Sequence, residues 1–99
     1  MQGRRITWEQ AENLANIQPG DYWFDPRHGW YAACPTPRDG DGMISCLAYL
    51  KSHKVIEHED GTITVSPSIL VKGPASAPKD WAENHTWHGF LERGIWRTC

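Results

Sequence analysis

The stretch HKVIEHEDGTITVSPSILV, residues 53–71, decides the fold. An Asp-Gly pair between alternating apolar and polar residues is the strongest short-range signal for a β-hairpin. Lys54 to Glu59 is expected to form one strand, Asp60-Gly61 a type I′ turn, and Thr62 to Ser66 the returning strand. A two-residue loop sets Glu59 opposite Thr62, His58 opposite Ile63, Glu57 opposite Thr64 and Ile56 opposite Val65. One face then carries Ile56, His58, Ile63 and Val65, and should meet the core. The other carries Val55, Glu57, Glu59, Thr62, Thr64 and Ser66, and should meet water or a partner. Pro67 ends this ladder, and Ile69-Leu70-Val71 begins a further buried strand.

Towards the C-terminus, Trp87 to Leu91 and Ile95 to Arg97 flank Glu92-Arg93-Gly94, which reads as a last hairpin with Gly94 in the left-handed conformation. Residues 73–80, rich in Gly, Pro, Ala and Ser, read as a flexible loop. Towards the N-terminus, Tyr22-Trp23-Phe24 and Trp30-Tyr31-Ala32 flank Asp25-Pro26-Arg27-His28-Gly29. Pro26 suits the first central position of a type I turn, and Gly29 the left-handed residue that follows it. Five aromatic residues crowd this hairpin, so some face the core and the rest are covered or exposed. Before it, Thr7 and Gln10 make a capping box, and Trp8, Ala11, Leu14 and Ala15 fall on one helical face that Pro19-Gly20 terminates. Residues 35–42 read as a second flexible loop. Residues 43–50 fit a strand or two helical turns, with strand preferred. The expected fold is mainly β (α+β): a single domain over 1–99, a small antiparallel β domain built from hairpins with one short N-terminal helix.

Ile, Leu, Val and Phe fill only 17 of 99 positions, a thin supply for a core. Six Trp and three Tyr make up the shortfall, since each ring buries on the order of 150–250 Å². The formal net charge is -2, which argues against a strongly basic nucleic-acid binder and against a polybasic membrane-surface protein. No apolar run is long enough to span a bilayer, and MQGRRITWEQ lacks the apolar core of a secretory signal. The odd cysteine count (Cys34, Cys46 and Cys99) fits a reducing cytoplasm better than a disulfide framework. Cys99 is expected to be an exposed thiol.

Few residues suggest chemistry. His85-x-x-His88 is a plausible ligand pair that Cys34 could join, so zinc is the alternative to having no cofactor; no standard zinc spacing accompanies it. Asp39-Gly40-Asp41-Gly42 echoes the middle of a calcium loop without its terminal ligands. No nucleophile motif or glycine-rich phosphate loop occurs. The chain is therefore expected to be a binding module rather than an enzyme. Its surface is expected to comprise Glu57, Glu59, Asp60, Thr62 and Thr64, with Trp87 and Trp96 as aromatic anchors. Self-association through an open β edge is a further alternative, with the oligomeric state left open.

Two blocks carry a resemblance. EHEDGTITVSPSIL at 57–70 and the hairpin WHGFLERGIW at 87–96, with Gly29-Trp30-Tyr31 to Cys34-Pro35, resemble a family of small proteins encoded by bacteriophages and prophages. A broader set of relatives looks like a zinc-type version with a Cys-rich knuckle, of which Cys34 and His88 are the counterparts here. The resemblance implies a phage or prophage accessory protein in the cytoplasm of the bacterial host. There it would bind a host protein, in host takeover or in blocking a defence system.

Overall fold

Backbone hydrogen bonding in the computed structural model, which describes residues 1–36, 46–72 and 85–99, gives a mainly β fold. Among the described residues, eight strands form two four-stranded sheets. The first sheet contains β1 (Arg4–Arg5), β2 (Asp21–Asp25), β3 (Gly29–Ala33) and β4 (Leu47–Tyr49), in that order. β1 is parallel to β2, and the other neighbours are antiparallel. The second contains β5 (Lys54–Glu57), β6 (Ile63–Val71), β7 (Trp87–Glu92) and β8 (Ile95–Thr98), all antiparallel. The expected loop over 35–42 from residue 37 onward, the loop over 73–80, the Asp39–Gly42 motif and the start of the 43–50 stretch lie outside the described residues.

The two sheets share one core. Tyr22, Ala32, Cys34, Cys46, Ala48 and Leu50 from the first side meet Ile63, Val65, Ile69, Trp87, Leu91 and Trp96 from the second. Strand alternation delivers these residues: 87, 89 and 91 point inward, while 88, 90 and 92 point outward. Position 89 admits only glycine, because a β-carbon there would come within 2.2 Å of the Arg97 carbonyl oxygen and 2.5 Å of the Trp87 ring. The N-terminus ties the sheets together. Gly3 donates to the Gly94 carbonyl on one side, and Ile6 donates to the Tyr22 carbonyl on the other. Gln2 bridges to Ile95 at the start of β8. The Trp96 indole N–H spans the same gap, donating to the Gly20 carbonyl at 2.9 Å.

Three expectations need correction. The first is the Asp60-Gly61 turn. His58 donates to the Thr62 carbonyl, Gly61 donates to the His58 carbonyl, and only Gly61 (φ 85°) is left-handed. A type I′ turn needs positive φ at both central residues, and Asp60 does not adopt it. The loop therefore contains Glu59, Asp60 and Gly61, a type I turn closed by a left-handed glycine, and Asp60 Oδ1 accepts from the Thr62 amide. The extra residue slips the register by one: Val55 pairs Val65, and Ile56 pairs Thr64. Every β5 side chain consequently changes face. Val55 packs on the core, Ile56 is 44% exposed, and His58 hydrogen-bonds Thr64.

The second correction concerns the helix. The capping box forms as expected, but α1 covers only Trp8–Ala11. Asn13 caps a separate 3₁₀ turn, Leu14–Asn16, by accepting from the Ala15 amide, so the chain leaves the α-helical path before Pro19. Leu14 is exposed rather than docked. The third concerns β6, which runs through Pro67 to Val71 with a register irregularity between Val65 and Ile69. Pro67 interrupts the ladder without ending the strand. By contrast, the Asp25–Gly29 hairpin has the expected turn, with His28 donating to the Asp25 carbonyl and Gly29 at φ 103°. Arg93 and Gly94 are both left-handed (φ 47° and 75°), so the last hairpin is the one with the two-residue loop.

Candidate functional site

The outer face of the first sheet, turned away from the shared core, carries an aromatic row. Trp23 on β2 lies opposite Tyr31 on β3, and Tyr31 lies opposite Tyr49 on β4. The rings stack, with centroids 5.8 Å apart (Trp23–Tyr31) and 4.7 Å apart (Tyr31–Tyr49). Directly opposed aromatic pairs of this kind stabilise a sheet by about 0.2–1 kcal/mol each. α1 and the 3₁₀ turn cover one end of the row. There Trp8 and Ala11 pack with Ile6, Ile17, Trp23 and Ala33. Seven helical residues are too few to cover the whole face. Exposure thus rises along the row, from 6% at Trp23 to 44% at Tyr49, with Leu47 beside it at 46%.

Between the helical cover and the row lies a cleft of about 200 Å³. Trp8, Trp23, Tyr31, Leu14 and Leu47 are among its walls, and its charged groups are Glu12, Asp25 and Arg27. The Arg27 guanidinium sits 5.5 Å from the centre of the Trp8 ring. Its Nε is 3.3 Å from Asp25 Oδ1, and its Nη2 is 3.9 Å from Glu12 Oε1. The Asp25 carboxyl is held below its ordinary value of 3.8, chiefly by the Arg27 backbone N–H and further by the Arg27 and His28 side chains. The row carries no proton-transfer pair; its chemistry is that of flat, polarisable surfaces bordered by carboxylates.

The residues expected to form the binding surface are distributed differently. Trp87 and Trp96 are not surface anchors: they are 6% and 2% exposed and meet edge to face in the core, 5.2 Å apart. Glu57, Glu59 and Asp60 are exposed and line a broad acidic concavity with His58 and Arg93. The register slip moves Thr64 off the face of Glu57. Thr64 Oγ1 accepts from the Arg93 amide, and Asp60 Oδ1 accepts from the Thr62 hydroxyl at 2.6 Å. Those contacts, chiefly the Thr62 hydroxyl, hold the Asp60 carboxyl below its usual value. Glu57 is bound by Arg5 at 2.5 Å, and Arg5 also donates to the Gly61 carbonyl and lies over the Trp30 ring. Glu57, Asp60, Thr62 and Thr64 at this tip are thus engaged within the chain.

The proposed metal set is not assembled. Cys34 lies in the inter-sheet core beside Cys46, where burial and the neighbouring thiol push its pKa up to about 12. Burial likewise raises Cys46. His88 is on the outer face of the second sheet, with its Nε2 3.0 Å from Ser68 Oγ and 3.9 Å from Cys99 Sγ. His85 is half-buried just before β7. Among the described residues, no group of three or more His, Cys, Asp or Glu side chains is placed to hold an ion. No helix there is long and apolar enough to cross a membrane.

Sequence reasoning missed Trp8, Arg27 and Tyr49 as parts of one surface. The available signal was the run Tyr22-Trp23-Phe24, which must place aromatic rings on both faces of its sheet. Compared with known proteins, the chain matches no family model, no curated protein and no solved structure.

Proposed function

We propose that this protein is a non-enzymatic binding module whose aromatic cleft receives a segment of a host bacterial protein. One observation carries this reading: a stacked aromatic row that its own helical cover leaves half open, ending in Tyr49 and Leu47. Exposed aromatic surface next to a cleft is costly in water and typical of interface anchors. The resemblance to small phage and prophage proteins supplies the setting, the cytoplasm of an infected or lysogenic bacterium. It also supplies the role, host takeover or inhibition of a defence system.

The test is affinity capture from bacterial lysate with wild-type protein and with Tyr49→Ala. The expected result is a specific host protein retained by the wild type and lost with Tyr49→Ala. Repeated failure of the wild type to retain any protein, or equal retention by both, would overturn the reading. Light scattering across a dilution series separates the remaining alternative: a dimer that Tyr49→Ala dissociates would make the face a self-association surface.

A further inference from the structure

Arg5 and Arg27 both lie over a tryptophan ring, but they are held very differently. Arg5 is anchored three ways: by Glu57, by the Gly61 carbonyl and by the Trp30 ring at 5.0 Å. It locks β1 to the tip of the β5–β6 hairpin. Arg27 is 63% exposed; its Nε and Nη2 reach the two oxygens of the largely buried Asp25 carboxylate at 3.3 and 3.5 Å, and its Nη2 is 3.9 Å from Glu12 Oε1. Both of its partners are local or exposed: Asp25 belongs to the same turn, and Glu12 is 57% exposed. An exposed pair such as Arg27–Glu12 contributes little to stability. The guanidinium over Trp8 is thus held chiefly by a carboxylate of its own turn, not by contacts from distant strands as Arg5 is.

Without Arg27, the charged groups lining the cleft would be Glu12 and Asp25, two carboxylates beside the faces of Trp8, Trp23 and Tyr31. Aromatic faces attract cations through their quadrupole, and the carboxylates add to the same field. An anionic partner would meet repulsion there. A neutral apolar partner would leave the carboxylates desolvated without compensation.

Resting on the binding-module reading, we propose that the cleft accepts an arginine or lysine side chain presented by the partner protein, and that Arg27 is an internal stand-in which the incoming cation displaces. The partner's cation then lies on the Trp8 ring between Glu12 and Asp25, and Arg27 swings out to solvent from its turn. Arg27 thus acts as a competitor: it shields the cleft in the free protein and weakens every cationic ligand by the same factor.

The test is a titration followed by the Trp8 indole N–H resonance. The probes are capped pentapeptides, four glycines around a central Arg, Gln, Leu or Glu. The Arg peptide is expected to bind about fivefold or more tighter than the Gln and Leu peptides, and the Glu peptide weakest. Arg27→Gln, with an unchanged amide spectrum elsewhere, is expected to tighten the Arg peptide by about threefold, whereas Glu12→Gln weakens it by about twofold. Unchanged or weaker binding with Arg27→Gln overturns the stand-in. A Leu or Gln peptide binding as well as the Arg peptide overturns the cationic occupant while leaving the cleft as a docking surface. No response to any peptide overturns this proposal alone, since the lysate capture with Tyr49→Ala reads the binding module independently.

Discussion

The outer faces of the two sheets obey the same alternation and end in opposite states. On the second sheet each exposed apolar residue has a polar cross-strand partner. Ile56 faces Thr64, Leu70 faces His88, and Ile95 faces Glu92. Its polar groups satisfy one another, as in the His88–Ser68 pair and Arg97, which lies over Phe90 and pairs with Glu92. On the first sheet the partners are aromatic or apolar: Trp23 with Tyr31, Tyr31 with Tyr49, and Ala33 with Leu47. Cross-strand pairing, rather than total apolar content, therefore decides whether a face is finished in water or left needing a cover. The second face is finished in water, and the first is left with aromatic surface that its own helical cover only half hides.

The largest test of this division separates inside from outside by thiol reactivity. With burial and the neighbouring Cys46 thiol pushing its pKa up to about 12, Cys34 should alkylate far more slowly in the native state than an unperturbed thiol. Cys99, which is exposed, should label first. Mass spectrometry of a timed iodoacetamide reaction reads the order, and early labelling of Cys34 would place it outside the inter-sheet core. Next in size, Trp96→Ala removes a ring packed against Trp87 and bonded to Gly20, and should cost about 3–5 kcal/mol in urea unfolding. A cost near zero would mean that the two sheets do not share this core.

A smaller effect distinguishes the faces of β5. Val55→Ser should cost about 1–2 kcal/mol, while Ile56→Ser should stay within about 0.5 kcal/mol. The reverse order would restore the two-residue turn. Tyr49→Ala loses only a partly exposed ring and its bond to the His28 carbonyl, so its stability cost should be about 1 kcal/mol or less. Its effect on binding should nonetheless be the loss described above.

The smallest effect is shared by both sheets. Asp25 and Asp60 each accept from the backbone N–H two residues on, and each has a depressed pKa. A depressed carboxylate adds stability above its unfolded pKa and loses it as pH falls through the folded value. The stability gaps between wild type and Asp25→Asn, and between wild type and Asp60→Asn, should be full above the ordinary carboxylate pKa and should shrink as pH falls below it. Equal behaviour of the two hairpins is expected. Of the two aspartates only Asp25 borders the cleft, beside Glu12, so acid should also weaken capture of a cationic peptide there and not at the Asp60 tip.

Local sequence was sufficient wherever short-range chemistry closes a loop or starts a helix. Thr7 and Gln10 cap α1 with their own side chains, and Pro26 with Gly29 specifies the β2–β3 turn. It was insufficient at Asp60-Gly61, where both loop lengths suit the residues. There the outcome follows contacts from afar, with Arg5 holding Glu57 and the Gly61 carbonyl. The C-terminal hairpin was legible from its turn, but its pattern could not say whether Trp87 and Trp96 would be covered. That depended on the sheet packed against them.

The amino-acid sequence on its own determined a small hairpin-built β domain with a capped N-terminal helix, because turn and capping chemistry act over a few residues. Tertiary structure alone decided the register of β5, the burial of two tryptophans and the aromatic cleft. Each depends on which sheet faces which, and a strand's period-two pattern is silent about the choice of partner.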